Sequence, residues 1–147
     1  MRGAARCGVN DRILHELKKK KRPMEKYRID VKVKTAFVEA QSDPLADRYV
    51  FAYTITITNV GTVAAQLLTR HWIITDAHDK VQEVQGEGVV GEQPHLAPGT
   101  SFQYTSGAVL ETPVGTMGGS YQMVADDGTR FDTEIPVFTL CVPRALH

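Results

Sequence analysis

The sequence predicts an all-β protein, a two-sheet antiparallel β-sandwich of the fibronectin type III or immunoglobulin-like kind, and three observations carry that prediction. From Tyr27 onward apolar residues recur with a period of two, the spacing of a strand with one buried face. Clusters of Gly, Pro, Asn and Asp break this alternation every eight to twelve residues. No amphipathic helical period interrupts it, so short strands must bury their apolar faces on one another as two stacked sheets.

The first strand alternates Ile29, Val31, Val33 and Phe37 with Arg28, Asp30, Lys32 and Lys34, and its lysines suit an edge position where charge discourages stray pairing. Gln41 to Asp47, with Pro44, is a loop. Tyr49, Phe51, Tyr53, Ile55 and Ile57 form one side of the strongest strand, rich in the aromatic and β-branched residues that fill a pleated surface. Asn59-Val60-Gly61 turns the chain into Ala65–Thr75, whose tryptophan, Trp72, is the only one in the sequence and is expected to anchor the core. Asp76 to Asp79 is a turn, and Lys80 to Gln85 returns as a short strand. Leu96-Ala97-Pro98-Gly99 fits a type II turn, with proline second and glycine third. Ser101 to Ala108 is a strand, and Leu110 to Gly119, broken by Pro113, Gly115, Gly118 and Gly119, is expected to be a loop with a bulge. Ser120–Ala125 and Thr129–Ile135 flank Asp126-Asp127-Gly128, the clearest hairpin signal present. Pro136 should bend or end the last strand, which Phe138 and Leu140 can resume.

At 147 residues the chain fits one domain, residues 24–147, preceded by a basic extension over residues 1–23. Residues 1–24 hold eight Lys and Arg against two Asp and Glu, a net +6, and the remainder holds nine against fifteen, a net −6. Nucleic-acid binding by the mildly acidic domain is therefore not expected. In the extension, Asn10 or Asp11 could cap a short helix running into Lys18–Lys21 and ending before Pro23. The favoured reading is a solvated extension, since charge runs usually stay in water. Cys7 and Cys141 stand at opposite ends without C-x-x-C spacing, which predicts neither a disulfide framework nor a zinc site and suits a reducing compartment. No apolar run matches a secretory or membrane-spanning segment, so a cytoplasmic protein without membrane insertion is expected.

Gly86-Glu87-Gly88-Val89-Val90-Gly91-Glu92-Gln93-Pro94 reads G-x-G-x-x-G, a spacing associated with phosphate held on backbone N–H groups. The dinucleotide version needs a helix opening on the glycines, and Pro94, Pro98 and Gly99 exclude one. Two readings remain. Gly86, Gly88 and Gly91 could form an anion-holding nest assisted by Arg70 or His71. Alternatively the glycines permit bulges and close passage of one sheet over another, and Glu87 and Glu92 would repel phosphate. The architectural reading is favoured.

Asp76, His78 and Asp79, with His71 and His95 elsewhere, are the candidate metal ligands, but Asp is also a good turn former and no metal site or cofactor is assigned. Asp126-Asp127-Gly128 is turn chemistry. Ser106-Gly107 and the scattered histidines match no nucleophile or metalloprotease motif, so no catalytic residues are expected.

Several longer segments carry a more specific signal. Phe51–Ile57 (FAYTITI), Leu68–Asp76 (LTRHWIITD), Gly86–Pro94 (GEGVVGEQP), Phe102–Gly107 (FQYTSG) and Gly115–Tyr121 (GTMGGSY), in that order, resemble the ApaG family across the whole domain, while residues 1–23 fall outside the resemblance. The resemblance implies the fibronectin type III or immunoglobulin-like sandwich and no established enzymatic activity. It further implies an association with cobalt resistance and magnesium efflux. Similar domains in eukaryotes look like protein-binding modules. The expected function is therefore a non-enzymatic binding module acting on an unknown protein partner. The alternative is binding of pyrophosphate or a dinucleoside polyphosphate, with or without magnesium, at the glycine-rich loop.

Overall fold

A computed structural model describes residues 26–143, which fold as two antiparallel sheets facing each other. The strands are β1 (Ile29–Phe37), β2 (Tyr49–Asn59), β3 (Ala65–Asp76), β4 (Val81–Glu87), β5 (His95–Leu96), β6 (Ser101–Leu110), β7 (Val114–Ala125) and β8 (Arg130–Cys141). The smaller sheet has the order β1-β2-β6, and the larger runs β4-β3-β7-β8 with β5 paired to β3. Two antiparallel sheets make an all-β sandwich, so the predicted fold class holds. The basic extension and its suggested helix cap lie outside the described residues, as does Cys7. Cys141 is disulfide-bonded, where the sequence reading expected no disulfide. Among the described residues no helix is long and apolar enough to cross a membrane.

The alternation read from β2 is realised: Phe51, Tyr53, Ile55 and Ile57 are buried, with the threonines between them at the sheet's outer face. Trp72 is buried at the centre, edge-on to Tyr53 at 5.4 Å, Tyr121 at 6.5 Å and Phe138 at 5.9 Å between ring centroids. Such tilted aromatic contacts add to the burial energy of each ring. On the opposite flank Tyr27 packs on Phe131 at 5.4 Å and closes the sandwich where β1 runs beside β8.

The predicted turns are present. Gly99 has φ +87° and Thr100 N–H donates to the Ala97 carbonyl, the type II geometry. Gly128, at φ +91°, closes the Asp126-Asp127-Gly128 loop. Asn59, fully buried, donates through Nδ2 to the carbonyls of Val63 and Leu96 and accepts Gly61 N–H at Oδ1, tying the end of β2 to two loops.

One segment departs from expectation. Val114 to Gly119 is the start of the central strand β7, not a loop. Its glycines answer a packing need: an added Cβ at Gly119, φ +154°, would run into the His71 carbonyl of the neighbouring strand. The expected bulge is real but the extra residue sits on β8, since Met117 pairs with Phe138 and Gly119 with Ile135. Pro136 stands at that irregularity on an edge strand, where a missing N–H is tolerated, and β8 continues through it.

Candidate functional site

A second bulge decides what faces the interior. Leu67 pairs with Met123 but Thr69 with Gln122, leaving Leu68 as an extra residue on β3. A bulge of one residue inverts the face of everything that follows. Ala65 and Leu67 point into the core, and after the bulge so do Arg70, Trp72, Ile74 and Asp76. The bulge also frees the Leu68 carbonyl to accept Gly88 N–H at 2.8 Å and Gln93 Nε2 at 2.9 Å.

The G-x-G-x-x-G segment thereby becomes a tight hairpin tip anchored to the bulge. Val89 and Glu92 exchange backbone hydrogen bonds of 2.8 and 2.9 Å around Val90, φ +43°, and Gly91, φ +82°. Two consecutive positive φ values are the signature of a type I′ turn. Gly91 is at home there, whereas a β-branched residue such as Val90 is a backbone outlier. Gly88 has φ +64°, and Val89 between them is fully buried. The N–H groups of Gly88, Val89 and Glu92 are thus bonded within the protein, while among the described residues those of Val90 and Gly91 make no hydrogen bond.

The two side chains expected to assist the loop separate. Arg70 and His71 are consecutive in a strand and face opposite ways. Arg70 lies across from Gly86 on one side and Tyr121 on the other. Its Nη1 donates to the carbonyls of Glu87 at 3.0 Å and Gly88 at 2.8 Å. His71 projects outward, with Nε2 3.0 Å from Glu83 Oε1. Arg70 therefore joins Gly86 and Gly88, and His71 does not.

Of the candidate metal ligands, Asp76, His71 and His95 have local side-chain partners. Asp76 Oδ1 accepts N–H groups from His78 at 2.8 Å and Lys80 at 3.0 Å. These bonds, that from Lys80 foremost, hold its carboxyl below the usual range, with burial opposing them. His95 contacts Asp126 Oδ1 at 2.8 Å on the surface. Among the described residues no three His, Cys, Asp or Glu side chains converge.

Between the sheets, beneath the hairpin tip, lies a cavity of about 260 Å³ that sequence reasoning missed. Tyr53, Tyr104 and Ser106 line it from the smaller sheet, Arg70, Trp72 and Glu87 from the larger, and Val89 to Gly91 form its rim. Behind it the hydroxyls of Tyr104 and Tyr121 are 2.6 Å apart in the interior. Burial pushes Tyr104 up to about 12 and Tyr121 further, so both remain protonated donors at neutral pH. A phase change in the alternation, from Ala65 and Leu67 to Arg70 and Trp72, was the available signal that Arg70 faces inward.

Fold and site together define a two-sheet β-sandwich with a small polar cavity between its sheets. Comparison with known proteins makes the family specific. The ApaG domain model matches residues 39–125. A protein from Thiobacillus denitrificans named Protein ApaG is 71% identical over 123 residues, covering 84% of this chain and 97% of the relative. Its namesake from Aromatoleum aromaticum is 67% identical with the same coverage. The crystal structure of a Bordetella pertussis protein described as ApaA superimposes with a TM-score of 0.81 at 52% identity, over 84% of this chain and 100% of that one. The chain belongs to the ApaG family.

Proposed function

We propose that this chain is a non-enzymatic binding module that acts through protein–protein contact, and that the family's association with cobalt resistance and magnesium efflux runs through its partner. The observation that carries the reading is an apolar row across the outer face of the larger sheet. Ile73, Val81 and Val137 are 40%, 56% and 66% exposed. Ile73 pairs with Gly118, whose missing side chain leaves Val137 alongside, while on β4 Glu83 stands opposite Ile73 and Val81 lies diagonal to it, opposite Thr75. Glu83, Asp132 and Glu134 lie on the same face. An apolar strip bordered by charge is the pattern of a recognition surface. The partner expected is a protein presenting an apolar ridge flanked by Lys and Arg, on electrostatic grounds.

The test is affinity capture with the wild-type chain and with Ile73→Glu, together with melting curves of both. Proteins retained by the wild type and lost from an equally stable variant support the reading. Identical retention by the two overturns it.

A second reading, binding of pyrophosphate or a dinucleoside polyphosphate at the glycine-rich loop, draws support from the unbonded N–H groups of Val90 and Gly91. Amide-resolved NMR titration with each ligand, with and without magnesium, is its test. Saturable shifts centred on Val90 and Gly91 would favour it, and unmoved signals there would make the glycines architectural.

A further inference from the structure

The cavity beneath the hairpin carries more chemistry than packing requires. Tyr53 is only 6% exposed, yet among the described residues its hydroxyl makes no hydrogen bond. A hydroxyl on a cavity wall with no protein partner can donate to a guest there. The Ser106 hydroxyl, on the strand position paired with Tyr53, also makes no hydrogen bond among the described residues. The Tyr104–Tyr121 pair supplies one further proton, since only one of the two hydroxyls can donate to the other. Tyr53 lies within electrostatic reach of both, as does Arg70.

Arg70 completes the set. Nη1 is fixed by two loop carbonyls, which orient the planar guanidinium, while Nη2 and Nε make no hydrogen bond among the described residues. No carboxylate among the described residues forms an ion pair with it. Arg70 is half-buried and presents free N–H donors beside the Tyr53 and Ser106 hydroxyls, with Glu87 the one acidic residue on the lining.

We infer that the inter-sheet cavity lined by Arg70, Tyr53, Tyr104 and Ser106 is a binding site for a small oxyanion, with Trp72 as its wall and the Val90-Gly91 turn as its rim. The volume, about 260 Å³, falls at the small end of ligand sites and fits a phosphate, sulfate or carboxylate group with little attached. The site is distinct from a nest on the loop: here the anion meets side chains between the sheets, and the loop's part is to seat Arg70. Bidentate geometry and a fixed guanidinium favour a tetrahedral oxyanion over a monodentate halide.

The single tryptophan lines the cavity and reports on it directly. The experiment titrates inorganic phosphate, sulfate and acetate separately against Trp72 fluorescence, with chloride at matched ionic strength as reference. Saturable change is expected with at least one oxyanion and none with chloride. Tyr53→Phe, Ser106→Ala and Arg70→Lys should each weaken binding about tenfold, the loss expected for one hydrogen bond to a charged group. His71→Gln, on the opposite face of β3, should leave the titration unchanged. Melting curves identify any variant that loses its fold, and the three cavity variants give independent routes to the result. The inference is overturned if no oxyanion gives a saturable response at millimolar concentration. It is equally overturned if the cavity variants that stay folded titrate like the wild type. A response abolished by Gly91→Ala alone would move the anion to the loop and likewise sink it.

Discussion

Arg70 lies across the β3–β4 pairing from Gly86, and a Cβ built on Gly86 would stand 2.9 Å from both Nη1 and Nη2 of that arginine. The first glycine of the motif is therefore the seat of a guanidinium. Backbone freedom has no part in it, since Gly86 sits in regular strand.

The three glycines should consequently respond differently to alanine. Gly88→Ala meets the Glu92 carbonyl and must adopt φ +64°, so a loss of about 3 kcal/mol is expected. Gly91→Ala meets open space and bears only left-handed strain, about 1–2 kcal/mol. Gly86→Ala displaces a flexible side-chain end and two hydrogen bonds, about 1 kcal/mol. Urea denaturation of the three variants checks the ranking.

The Tyr104–Tyr121 pair should behave as a unit. Tyr104→Phe or Tyr121→Phe leaves one buried hydroxyl without its partner and should cost about 1–3 kcal/mol each. The double variant removes both and should cost less than the two losses added, a coupling that a double-mutant cycle reads. The raised pKa of each folded phenol means that the unfolded chain ionises first, near 10. Their contribution is whole below that pH and is lost as pH rises through the folded values, so the double variant should show a shallower alkaline decline in stability.

Two carboxylates set the opposite limb. Asp127 is held low by the Tyr27 hydroxyl first and the Thr129 N–H second, and Asp76 by the N–H groups of Lys80 and His78. A lowered folded pKa gives stability that is complete above the unfolded value, about 3.9, and vanishes as pH falls through the folded one. Asp76→Asn and Asp127→Asn should therefore be less stable than wild type at pH 7, with the gap narrowing towards pH 2. Urea midpoints across that range decide it.

Asn59→Leu removes three hydrogen bonds from a fully buried position and leaves two carbonyls and an amide unpaired. A loss of about 3 kcal/mol or more is expected by calorimetry or urea titration. A change under 1 kcal/mol would mean that water replaces the side chain.

Much of this architecture was legible in the sequence. The alternation from Tyr49 to Thr58, the tryptophan and the turns at Gly99 and Gly128 each follow from local chemistry that the tertiary fold leaves intact. Leu110 to Gly119 misled because glycine there serves contact between strands, which local propensity does not encode. The G-x-G-x-x-G segment folds as a type I′ turn plus a seat for Arg70, and neither depends on the intervals between glycines. That Arg70 and His71 face opposite ways follows from strand geometry alone. Which of them faces inward depended on the single residue at Leu68. The tyrosine cluster gathers positions 53, 104 and 121, far apart in the chain, and only the stacking of two sheets unites them.

The irregularity at Pro136 has a consequence for how copies of this chain meet. Each sheet ends in open rims able to template further strands, the route to fibrils and strand-swapped aggregates. Along β8 the extra residue opposite Gly118 breaks the repeat, and proline offers no donor there. Along β1 the exposed Lys32 and Lys34 make a second copy electrostatically unwelcome. Propagation from those two rims is suppressed, leaving β4 and β6, which frame the cavity, as the rims on which polymerisation could start.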